Sequence, residues 1–148
     1  MEKTELLGAL DSIIDDAQVG ILATVDEHGS PAMRWMTPTQ VRGRQGFLYA
    51  VTSPEFRKIR HLEKNPSVEW IFQTTDLNRI VTVKGTISVV DNPQLKSEVQ
   101  ESIGRRLEVF WRVNKQAEFI VLETTIDQIS LFQPMKHRRD TVRLGKDG

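Results

Sequence analysis

Cysteine is absent from the sequence, and with it go disulfides, thiolate nucleophiles and sulfur ligands for a metal. Histidine is almost as scarce: His28, His61 and His137 are too scattered to show metal-ligand spacing, so a structural zinc is excluded. Net charge is missing too. Twenty basic and twenty acidic side chains cancel, so no global field draws the chain to nucleic acid or to an anionic membrane, and any polyanion site has to be local. No apolar run approaches membrane-spanning length, and the start is acidic and amphipathic rather than a basic segment leading into an apolar one. These absences predict a soluble, cytoplasmic protein with no membrane or nucleic-acid partner. No repeat, low-complexity tract or linker divides the 148 residues, a length that suits a single domain around one core.

What is present is a succession of short patterned stretches. From Thr4 to Gln18, Leu6, Leu7, Leu10, Ile13, Ile14 and Ala17 recur at helical spacing and predict an amphipathic helix lying on a larger body. Residues 19–25 are short and β-branched and end at Asp26-Glu27-His28-Gly29-Ser30, which predicts a strand and a hairpin turn. Residues 31–42 predict a strand interrupted at Pro38, and Gly43-Arg44-Gln45-Gly46 turns the chain into a third strand, Phe47 to Val51. Further strands are predicted at 67–74 and 79–90, with Gly85 marking a bulge, and then a helix from Asn92-Pro93 to Ile103. The state of 105–112 is left open. Two last strands, 118–124 and 128–132, are followed by a polar, basic tail over 136–148, free to move or to reach a partner. About seven hairpin-connected strands with three helices outside them predict a mainly β fold with peripheral helices, a small antiparallel barrel.

The stretch with most chemistry joins the third strand to the next helix. Ser53 suits the N-cap, Pro54 and Glu55 suit the first turn, and Phe56, Ile59 and Leu62 repeat at helical spacing. An anion at that helix start would meet free backbone N–H groups, the hydroxyls of Thr52 and Ser53, and the cations Arg57 and Lys58. A capped surface helix with two solvated bases is the simpler reading of this stretch taken alone.

The ordered set of features resembles the pyridoxamine phosphate oxidase-like family of FMN-binding split barrels, especially its small general-stress-protein members. The resemblance rests on the opening helix, Ala23-Thr24-Val25 with Gly29 and Pro31, Arg34-Trp35-Met36-Thr37, Thr52 followed by Arg57-Lys58, Asn65-Pro66 and Val83-Lys84-Gly85. It implies a split β-barrel that binds FMN. The phosphate would be gripped by Arg57 and Lys58 with Thr52 and Ser53, the flavin ring would run along Arg34, Trp35, Met36 and Thr37, and an arginine there would stabilise negative charge on the ring. It also implies a homodimer with the flavin at the subunit interface, where Phe110, Trp111 and Phe132 are candidates to cover the ring.

The chain departs from the oxidase proper in three places, one of them Ile80, which stands where that enzyme has a glutamine touching the flavin. Phe56 and Glu55 stand where that enzyme has serine preceded by glycine, which puts a carboxylate beside the expected phosphate. Of its C-terminal Arg-x-His-x-Arg substrate motif only Arg138 is matched, Asp140 and Val142 standing at the other two positions, which argues against vitamin B6 oxidation. The expected function is therefore an FMN-dependent oxidoreductase whose substrate the sequence does not name. The alternatives are a non-catalytic flavin or haem carrier with His137 as an axial ligand, and a nucleic-acid module using Arg57, Lys58, Arg60 and His61 with Trp70 or Trp111 for stacking.

Overall fold

The computed structural model describes residues 1–52, 62–104 and 119–144. Helix α1, Lys3–Ala17, forms where the apolar stripe predicts it and buries Leu6, Leu7, Leu10, Ile13 and Ile14. Its entry is tied by the Glu2 backbone N–H, which donates to the Glu5 carboxylate at 3.4 Å. The stripe packs against a sheet core that includes Leu22, Leu48, Trp70, Phe72, Val81, Val83 and Ile129.

The strands are β1 (Gly20–Val25), β2 (Pro31–Met36), β3 (Pro38–Thr39), β4 (Phe47–Thr52), β5 (Ser67–Gln73), β6 (Ile80–Val90), β7 (Ile120–Gln133) and β8 (Arg138–Arg143). They form one antiparallel sheet in the order β2-β1-β5-β6-β7-β4-β3, with β8 added to β7. The two ends of that order, β2 and β3, are separated in the chain by Thr37 alone. A sheet can meet this demand only by curling until its edges approach each other, so the alternation of buried and exposed residues becomes an inside and an outside. β5 shows it residue by residue, with Val68, Trp70 and Phe72 inside and Ser67, Glu69, Ile71 and Gln73 outside.

Two glycines allow this curvature. At Gly85 the β6–β7 register shifts, Lys84 pairing Gln128 and Gly85 pairing Ile126, so Asp127 is the extra residue of a bulge. A Cβ on Gly85 would run into the Thr125 carbonyl, which is why the bend falls there. A Cβ on Gly20 would likewise enter the Phe72 ring, itself stacked on Trp70 with centroids 5.6 Å apart.

Helix α2, Pro93–Ile103, is capped by Asn92, whose side chain accepts the Leu95 N–H at 3.1 Å. It covers the outer side of β4 and β7 through Leu95, Val99 and Ile103 against Tyr49, Val51 and Val121. The mainly β fold with peripheral helices is as expected, but two local expectations are corrected. The strands expected at 118–124 and 128–132 are one strand, β7, because the polar pair Thr125 and Asp127 flanks a bulge rather than a turn. The expected tail is in large part β8, which pairs Gln128 to Gln133 of β7 with Arg143 to Arg138. Phe110, Trp111 and the rest of 105–118 lie outside the described residues, as do 53–61 and 145–148.

Candidate functional site

Among the described residues the sheet's two edge strands, β2 and β3, do not pair with each other, and Arg34, Trp35, Met36, Thr37 and Thr52 lie on or beside them. β3 pairs with β4 through Pro38 and Ala50, then Thr39 and Tyr49. That ladder goes no further towards β2, where Pro38 has no N–H to give. Were the same antiparallel register to continue, Met36 would fall opposite Thr52, which would put the expected ring strand and the expected phosphate corner at one end of the split. Met36, Thr37 and Thr52 are all buried.

Thr52 closes β4 on the face of Leu48 and Ala50, and it is fully buried. Among the described residues its Oγ1 has no hydrogen-bond partner. A buried hydroxyl without a partner is costly and uncommon, and it suits a site whose occupant would accept a bond from it. Arg34 sits on the same inner face of β2. Its guanidinium donates to Thr24 Oγ1 at 2.7 Å and to the Leu22 carbonyl at 3.4 Å, both neutral acceptors, and burial lowers its pKa from the ordinary value. Among the described residues no carboxylate pairs with it. A half-buried cation held by neutral groups keeps its charge available to an anion.

Trp35 and Met33 point the other way and are 69% and 72% exposed. Cross-strand pairing continues their rows over the outer face: Trp35, Ile21, Ile71, Thr82, Ser130 and Thr141 in one, with Ile80, Phe132 and Arg139 lying beside it. Arg139 lies over the Phe132 ring at 4.7 Å and donates to Ser130 Oγ at 3.4 Å. Trp70, a candidate for base stacking, is inside the barrel and donates to Thr124 Oγ1 at 3.1 Å, so it offers no face to a nucleic acid.

Ser53, Arg57 and Lys58, the remaining expected phosphate ligands, lie outside the described residues. Beyond them the chain is helical at 62–64 and tied to the β1–β2 turn: Lys64 pairs with Glu27 at 3.5 Å, and the Asn65 side chain donates to the Asp26 carbonyl at 3.0 Å. The connection thus starts from β4 beside Thr52 and arrives at the hairpin of β1 and β2. Sequence reading missed two features, the lone hydroxyl of Thr52 and the neutral anchoring of Arg34 through Thr24. Thr24 stands at a buried β1 position where a valine would be expected, and that is the one signal of it in the sequence.

A curled antiparallel sheet whose edge strands β2 and β3 do not pair with each other defines a split-barrel protein. The chain belongs to the pyridoxamine 5'-phosphate oxidase family, whose sequence model matches residues 6–132. A pyridoxine/pyridoxamine 5'-phosphate oxidase from Burkholderia mallei (strain SAVP1) is 37% identical over 81 residues, 53% of this chain and 36% of that protein. The chain thus spans about a third of the length of the curated relatives it matches. A protein related to general stress protein 26 from Clostridium acetobutylicum superposes with a TM-score of 0.76 at 14% identity, covering 97% of both chains. The same fold recurs in an FMN-binding protein from Nostoc punctiforme (TM-score 0.66, 12% identity, 93% and 95% covered). It recurs again in a heme-binding protein from Mycobacterium smegmatis (TM-score 0.72, 16% identity, 97% and 59% covered).

Proposed function

We propose that the chain binds FMN in the split between β2 and β4 and works in the cytoplasm as an FMN-dependent oxidoreductase. The observation that supports this reading is the buried Thr52 hydroxyl, which has no partner among the described residues, beside the half-buried Arg34, which no carboxylate among them pairs. Thr52, Ser53, Arg57 and Lys58 would hold the phosphate, and Arg34, Trp35, Met36 and Thr37 would line the ring. Bound FMN supplies hydride and electron transfer at its ring. The chain's own part is placement, exclusion of water by Met36 and Thr37, and a fixed positive charge at Arg34. Dimerisation through the outer face would bring Phe132 and Arg139 of one subunit towards the Trp35 strand of the other. Mixed apolar and polar rows across six strands suit such an interface, and α2 covers only the other half of the sheet.

The haem-binding relative favours a second reading, a non-catalytic haem or flavin carrier. Its axial ligand would be His137, which is exposed at the corner into β8 with a φ of 49°. The colour of the purified protein and the mass of the molecule released on denaturation test both. A yellow protein releasing stoichiometric FMN is expected. Release of haem, or no uptake of FMN by the colourless chain, would remove the flavin reading.

A further inference from the structure

Gly8 lies inside α1, where glycine is among the least favourable residues. Its conformation does not require it, since its φ is not in the left-handed region, and packing does not either: no neighbouring heavy atom lies within 4 Å of where a Cβ would stand. What Gly8 borders is a cavity of about 450 Å³ between α1 and the turn that joins β3 to β4. That volume is typical of sites for small molecules. Leu7 and Val41 give it an apolar floor, and Asp11, Arg42 and Gln45 give it a polar rim. Arg42 is exposed and its side chain makes no hydrogen bond or ion pair among the described residues, whereas its neighbour Arg44 is committed to Glu98 at 3.5 Å.

We infer that this cavity binds a small organic carboxylate with an apolar body. The body would rest on Leu7 and Val41, the carboxylate would meet the Arg42 guanidinium and the Gln45 amide, and Gly8 leaves the room that any side chain would take. The cavity shares no residue with the split, so the inference stands or falls independently of the flavin.

The test is a backbone-amide NMR titration of the full chain with phenylacetate, beside 2-phenylethanol, which lacks the charge. Phenylacetate is expected to shift amides in 4–11 and 40–46, and to bind about tenfold or more tighter than 2-phenylethanol. Arg42→Gln should weaken phenylacetate by a similar factor, and Gly8→Leu, which favours the helix, should abolish binding while thermal melts show both variants folded. No shifts at phenylacetate concentrations on the order of 10 mM, shifts located elsewhere, or unchanged affinity in either variant would overturn the inference.

Discussion

Replacing Thr52 by valine separates what the residue does for the fold from what it does for a ligand. Valine has nearly the same shape, suits a strand, and removes only the hydroxyl that is buried without a partner. In the ligand-free protein a buried polar atom that makes no bond costs about 1–3 kcal/mol. Thr52→Val should therefore stabilise the apo chain by a comparable amount, and at this size each kcal/mol raises the melting midpoint by roughly 2–4 °C. Towards FMN the sign reverses. A hydroxyl bond to a charged phosphate is worth about 1.5–3 kcal/mol, so the variant should bind FMN about tenfold or more weaker. The assays are thermal denaturation of the apo chain and a flavin-fluorescence titration of both proteins. A destabilised apo variant would mean that the hydroxyl has a structural partner. A stabilised variant with unchanged FMN affinity would mean that Thr52 faces no phosphate, and the reasoning about the split would be wrong.

Three further outcomes are expected. Arg57→Ala and Lys58→Ala should each weaken FMN by about tenfold or more, as loss of a charge-assisted bond requires, and unchanged titrations in both would remove the proposed grip. Glu55→Gly should tighten FMN, because a carboxylate beside the phosphate is repulsive; looser binding in the same titration would show Glu55 to be an organising partner. Tyr49, the chain's single tyrosine, donates to Glu123 Oε2 at 2.8 Å, and burial together with that carboxylate pushes its pKa up to about 12. Its folded pKa lies above the unfolded value, so its contribution to stability is whole below pH 10 and declines between pH 10 and about 12, by about 1.4 kcal/mol per pH unit. Ultraviolet titration of the tyrosinate should show the raised pKa, and Tyr49→Phe should lose that part of the alkaline decline in denaturant melts. A titration near pH 10 in the folded chain would contradict the buried hydrogen bond.

Where the sequence was legible, one period dominated. The α1 stripe and the alternation of β5 and β6 each bury one side, so pattern and fold agree, and Gly85 marked its bulge because only glycine fits against the Thr125 carbonyl. β7 was misread because its bulge interrupts the alternation with Thr125 and Asp127, which resemble turn residues until β6 supplies the partner. β8 was misread for a related reason: Arg138, Arg139 and Asp140 have no strand pattern of their own, and only Val142 and Leu144 pack against the core. Most of the site is nonlocal. Arg34 and Thr52 were picked out by type and order, but that Arg34 is anchored on Thr24 follows from the pairing of β1 with β2 and has no local signature.

A crystal structure of the chain grown with FMN tests the central claim most directly. The account predicts the phosphate within hydrogen-bonding distance of Thr52 Oγ1 and the ring alongside residues 34–37. FMN bound elsewhere, or a split left closed with the Thr52 hydroxyl still unpartnered at saturating FMN, would contradict it.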